Sequence, residues 1–329
     1  MTPTLVRQHL PHAGPAPRVD PGARARDWSE IQERMLVPLY EAVYERLETG
    51  PATRLLGLGC GSGLALLIAA SKGAAVTGVE PSRAERLALA RERLLPRPRN
   101  TGDRDPGPTR GPSGTPGTSS IPGTPSIPGT SGISSIPGIP GARGGSRTPS
   151  TRGGIRLVAG PPEAAADART PPYTLLTAFE PVGPLAGGDE GLVDMLRAAV
   201  PLAERGAPVV LTGWGPPERC ATTTVLRRAG GPRDPDGPRA ARRDDLEEIA
   251  ARTGLRPDGS GRVACPFGYA DLASARRGLL STGLLDAAVA ATDQERIDKE
   301  LTEALHPYRR EDGTVWMPNV FRYLVARVP

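Results

Sequence analysis

The chain has 329 residues, with 38 Pro, 41 Gly, 3 Cys and a formal net charge of +5. Its three cysteines are widely spaced and form no C-x-x-C, which argues against a disulfide scaffold and against a structural zinc site. Between Pro96 and Gly154 seven arginines stand against two acids, a difference of +5, so the rest of the chain is neutral and nucleic-acid binding is not expected.

Residues 1–26 are proline-rich and are expected to form a flexible tail. They hold no apolar stretch of the signal-peptide kind, and no run is long enough to span a membrane, so a cytoplasmic protein is expected. From 27 to 48, Trp28, Ile31, Met35, Leu39, Val43 and Leu47 recur at three- and four-residue spacing, which predicts helix. Asp27 with Glu30 reads as a capping box, and Pro38 should divide the stretch into two helices. Arg54-Leu-Leu-Gly-Leu58 predicts a strand. The turn Gly59-Cys60-Gly61-Ser62-Gly63 follows, then a helix over 62–71 and a second strand over 75–79, closed by Glu80. Ser82 with Glu85 reads as the cap of a helix carrying Leu87 and Leu94.

Residues 96–154 form a Gly/Pro/Ser/Thr tract whose large apolar side chains are isolated isoleucines. Such a segment cannot bury enough surface to offset its ordering entropy and is read as a disordered insertion. From Gly111 to Gly144 every third residue is Gly except Ser120, Ser126 and Ser135. A collagen triple helix needs glycine at each of those places, so a tolerated loop expansion is the better reading.

Beyond the tract, strands are predicted over 155–159, 173–179, 208–212, 263–267 and 320–328. Helices are predicted over 191–203, 244–253 (Asp244 with Glu247 as cap), 271–280 and 286–305. Strands alternating with helices imply a parallel sheet with right-handed crossovers. His9, His12 and His306 offer no metal set, and no metal is expected. Trp28, Tyr40, Trp214 and Trp316 are candidates for an aromatic acceptor pocket.

In an open α/β sheet ligands sit outside the carboxyl ends of the strands. Glycines let the main chain approach a ligand closely, and Glu80 can accept both hydroxyls of a ribose. A nucleoside-containing cofactor is therefore expected. The third glycine of a dinucleotide fingerprint is replaced by Leu64, and Gly63 is not followed by the Lys-Ser/Thr of a P-loop.

The stretch from Arg54 to Gly63, with Val76-Thr-Gly-Val-Glu80, resembles the first two motifs of class I S-adenosylmethionine (SAM) methyltransferases. The likeness covers 27–95 and 155–329, and implies one domain over those residues. It implies a Rossmann-like, doubly wound, mostly parallel seven-stranded sheet with an antiparallel last strand and helices on both faces. The ending Asn319-Val-Phe-Arg-Tyr-Leu-Val looks like that last strand, and Trp214-Gly-Pro-Pro-Glu218 looks like a segment of the small-molecule bacterial branch. By this resemblance SAM is the cofactor, bound by Gly59, Cys60, Gly61, Ser62, Gly63, Glu80 and Pro81, with Glu163 near the adenine and Phe179 packed on the cofactor. Glu180 is the candidate base facing a small-molecule acceptor of specialised metabolism. The family usually carries an acid where this chain has Gly57, which removes one contact to the methionine amine. Thr170-Pro-Pro-Tyr173 resembles a motif of nucleic-acid amino methyltransferases, but stands before its strand instead of after it. Two other readings remain: a SAM-binding regulatory or partner protein without catalysis, and an NAD(P)-dependent oxidoreductase. The oligomeric state is left open.

Overall fold

The computed structural model describes residues 20–95, 154–167, 171–183, 190–230 and 244–329. The 96–153 part of the Gly/Pro tract and the first 19 residues lie outside them.

Seven strands form the central sheet: β1 (Arg54–Leu58), β2 (Ala75–Glu80), β3 (Ile155–Ala159), β4 (Leu175–Val182), β5 (Pro208–Trp214), β6 (Arg256–Ala264) and β9 (Val320–Arg327). Their order is β3-β2-β1-β4-β5-β9-β6. β1, β2, β3, β4 and β5 run parallel, whereas β9 enters antiparallel between β5 and β6. This is the doubly wound, Rossmann-like sheet expected from the sequence, and it reverses its winding between β1 and β4.

The central strands β1, β2, β4 and β5 read as largely apolar runs because both faces are covered, whereas the edge strand β6 is polar and mostly exposed. Adjacent residues point to opposite faces: Leu55, Val210 and Val325 join one core cluster, Leu56, Leu211 and Leu324 the other. The first cluster packs α2 (Val37–Arg46), α3 (Leu64–Ser71), α6 (Ala221–Ala229), α8 (Leu272–Ser281) and α10 (Gln294–Leu305). The second packs α5 (Glu190–Ala199) and α7 (Asp245–Arg252). Among the described residues no helix is long and apolar enough to cross a membrane.

Several sequence expectations need correction. Helix begins earlier than residue 27, with α1 (Pro21–Asp27). Its cap is Asp20, whose carboxylate accepts from Gly22 N at 2.9 Å. Asp27 is therefore helical and makes no capping bond. A wide π-type turn, Trp28–Gln32, and a 3-10 turn, Glu33–Leu36, join α1 to α2, whose first turn holds Pro38. Ser82 does not cap α4 (Ala84–Leu94), and Asp244 makes no side-chain cap on α7. The expected strand at 263–267 is two elements. β6 ends at Ala264, and β7 (Phe267–Tyr269) leaves the sheet to pair with β8 (Val315–Met317), an unexpected strand. The expected 286–305 helix is split into α9 (Asp286–Ala291) and α10, because Asp293 turns its carboxylate to Arg296 N at 2.7 Å and caps a new start.

Candidate functional site

The carboxyl ends of β1, β2 and β4 meet at the point where the winding reverses, the place where open α/β sheets bind ligands. The turn after β1 is held by Cys60 N donating to Val79 O, and by Gly63 N donating to Cys60 O, both at 3.0 Å. Gly59, Gly61 and Gly63 have φ of +60°, +56° and +80°, the left-handed region that side chains disfavour. At Gly63 a Cβ would stand 2.9 Å from Leu94 Cδ1 and 3.1 Å from Ala90 Cβ, so this glycine also lets α4 close against the turn. Gly57 has a packing reason of its own: a Cβ there would lie 2.9 Å from Leu66 Cδ2. The place where an acid was expected is filled by α3.

Glu80 ends β2 and is 3% exposed. Gly61 N donates to its Oε2 at 3.2 Å, tying the turn to the carboxylate. Burial raises the Glu80 pKa above the usual carboxylate value, against the opposing pull of Arg83 and the Gly61 N–H. Glu80, Gly59, Pro81, Arg83 and Glu180 line a cavity of about 550 Å³, roofed by α1 and by residues 282–286. A second cavity of about 30 Å³ reaches toward Trp28, Glu33, Tyr40, Gly61 and Phe179, and shares Leu58, Gly59, Arg86 and Glu180 with the first.

The structure thus brings Gly59, Cys60, Gly61, Glu80, Pro81, Phe179 and Glu180 to the cavities. Phe179 packs against Tyr40 and Tyr44, with ring centroids 4.8 and 5.5 Å away. Glu180 is ion-paired with Arg83. Ser62 and Gly63 line neither cavity; Ser62 is buried and its hydroxyl bonds Glu33. Glu163 sits exposed in a 3-10 turn (Pro162–Ala165) and is not brought to either cavity. Of the candidate aromatics, Trp28 and Tyr40 reach the small cavity. Trp214 is buried on Phe321 at 4.7 Å, and Trp316 is exposed beneath Arg310.

Sequence reasoning missed Glu33, Arg83, Arg86 and Arg93. Arg93 donates to Glu33 Oε2 at 2.8 Å, to the Ser62 carbonyl and hydroxyl at 2.9 Å, and to Ser29 Oγ at 2.7 Å. This buried network fastens the start segment onto the glycine turn. No local signal marks it, because its members are joined only by folding. The cleft offers no activated thiol at Cys60: burial pushes its pKa up to about 12, with Glu80 adding to the rise.

No protein-family profile and no curated protein sequence matches the chain. Among solved structures, a Bacillus halodurans putative methyltransferase is similar at 11% identity, covering 88% of this chain and 98% of its own, with a TM-score of 0.45. A Geobacter sulfurreducens SAM-dependent methyltransferase in complex with S-adenosylhomocysteine is similar at 14% identity, covering 90% and 92%, with a TM-score of 0.40. A SAM-bound amino pentose methyltransferase from Micromonospora echinaspora shares 21% identity over 55% of this chain and 51% of its own, with a TM-score of 0.30.

Proposed function

We propose that the chain is a SAM-dependent methyltransferase of the class I type, acting on a small-molecule acceptor in the cytoplasm, within specialised metabolism. The observation that carries this reading is the buried Glu80 carboxylate beside three left-handed glycines, at the point where the winding of a 3-2-1-4-5-9-6 sheet reverses.

The residues fit the cofactor. Gly59 and Gly61 present bare main chain to the cleft, in conformations that favour glycine. Glu80 keeps acceptor capacity beyond its one bond from Gly61 N, enough for the two hydroxyls of a ribose. When bound, the cofactor supplies an electrophilic methyl group on a sulfonium. The protein's part is to orient the acceptor in line and to exclude water. Phe179, braced by Tyr40 and Tyr44, provides an apolar wall. Glu180 stands between the two cavities as the candidate proton acceptor, oriented by Arg83. A cavity of about 550 Å³ lies in the range of small-ligand sites.

The test is calorimetric titration with SAM and S-adenosylhomocysteine, with Glu80→Ala as control. Micromolar binding that the substitution abolishes is expected; no binding at millimolar ligand overturns the reading. One observation favours a second reading, a SAM-binding regulator without turnover: Glu180, the candidate base, is tied up by Arg83. A Glu180→Gln protein that binds SAM and turns over normally would remove Glu180 as a base.

A further inference from the structure

Two donors at the cleft lack the partners their chemistry asks for. Trp28 is 8% exposed, and its indole Nε1 is buried without a hydrogen-bond partner. That nitrogen faces the glycine turn, 3.6 Å from where a Cβ on Gly61 would stand. An indole N–H can only donate, so buried without an acceptor it is left unsatisfied. Arg86 is 6% exposed and stacks on the same indole, its guanidinium carbon 4.1 Å from the ring centroid. It donates to the Ser281 carbonyl at 3.1 Å.

Three other arginines around the cleft are matched by carboxylates: Arg24 by Asp286, Arg83 by Glu180 and Arg93 by Glu33. Among the described residues Arg86 forms no ion pair. Burial accordingly pulls its pKa down to about 10, with Arg83 adding to the fall. The nearby acids do not complete it. Glu33 is taken up by Ser62, Arg93 and Leu64 N, and Glu180 by Arg83, while Glu80 accepts from Gly61 N and makes no ion pair with Arg86. Buried charges in stable proteins are paired or hydrogen-bonded, so Arg86 has room for one more partner.

Both groups line the small cavity, and Arg86 also lines the large one. A space of about 30 Å³ takes a small polar group and not the body of a ligand. A ligand seated in the larger cavity can therefore extend one group past Arg86. Both waiting donors lack acceptor capacity, so the complementary group is an oxyanion.

We propose that Trp28 and Arg86 form a carboxylate-binding subsite of the cleft. The identity of the ligand's body rests on the methyltransferase reading; the carboxylate belongs either to the aminoacyl end of the cofactor or to the acceptor.

The experiment compares S-adenosylhomocysteine with 5′-methylthioadenosine, which keeps the nucleoside and thioether but has no carboxylate. Both are titrated into wild type, Arg86→Met and Trp28→Phe, each checked for folding by circular dichroism. With the cofactor as source, wild type prefers S-adenosylhomocysteine by about 10–100-fold, and both substitutions bring the ratio to within about threefold. With the acceptor as source, that ratio does not move. Benzoate then binds wild type saturated with S-adenosylhomocysteine and fails to bind the variants. If neither the ratio nor benzoate binding changes in either variant, the subsite does not exist. Failure of the methyltransferase reading looks different: wild type binds neither nucleoside. Benzoate titrated into the protein alone then decides, with binding lost in the variants supporting the subsite, and absent or unchanged binding overturning it.

Discussion

The floor of the cleft comes from one unbroken stretch, Leu58 through Arg86, with β4 beside it, whereas its roof is assembled from α1, the Trp28–Gln32 turn, Glu33 and residues 282–286. The floor is held by backbone conformation: three positive-φ glycines and main-chain bonds within the β1–β2 unit, from Gly63 N to Cys60 O and from Cys60 N to Val79 O. The roof is held by side chains reaching across the fold, as in Arg93 to Glu33 and Arg24 to Asp286. A floor of this kind is rigid without any ligand. A roof of this kind depends on a few charged contacts, so the two should respond differently to substitution.

The largest effect should come from breaking the floor. Gly63→Val forces a β-branched residue into φ +80° and against Leu94 and Ala90. A loss of about 3 kcal/mol or more is expected in urea unfolding. A loss under about 1 kcal/mol would mean that the turn adapts easily and is not the rigid partner. Next is the roof. Glu33→Gln removes the charge that Arg93 faces, in a pair whose acid is nearly buried. About 2–4 kcal/mol should be lost, with Arg93 left without its counter-charge.

Glu80→Gln separates stability from function. It should weaken S-adenosylhomocysteine binding by about tenfold or more while leaving the protein as stable, or more so, at neutral pH. The sign follows from the raised pKa of Glu80. Its folded-state carboxyl holds a proton more tightly than the unfolded one. That stabilisation is complete below the unfolded pKa of about 4.5 and is lost as pH rises through the folded value. The Tm of Glu80→Gln should therefore gain on wild type as pH rises from 4 to 7; a constant difference would contradict the assigned shift. Arg83→Met should cost under about 1 kcal/mol, because the Arg83–Glu180 pair is more than a third exposed on both sides and screened by solvent. Smallest of all, deletion of 100–150 should leave both Tm and ligand binding unchanged, as the composition of that tract implies; a large fall in Tm would make the tract structural.

The floor was legible because its signals are local. A strand, closely spaced glycines, a helix and an acid within about thirty residues specify one loop geometry, whatever surrounds them. Boundaries and caps were less legible. Asp27, Ser82 and Asp244 each have the side chain of a helix cap and none makes the bond, since Asp20 caps the first helix and the others start without a side-chain bond. β8 gave no strand signal, and forms because β7 turns away from β6 and pairs with it. Glu163 carries an acid at a plausible spacing, yet its 3-10 turn leaves it exposed outside both cavities.

By itself the sequence determined the alternation of strands and helices, the glycine turn and the acid that ends β2, since each depends on residues adjacent in the chain. Only the tertiary structure decided that Glu33 and Arg93 lock the start segment to the turn, and that Trp28 and Arg86 meet at the small cavity. Those pairings join residues far apart in the chain, and no local pattern encodes a contact whose partners meet only when the sheet is complete.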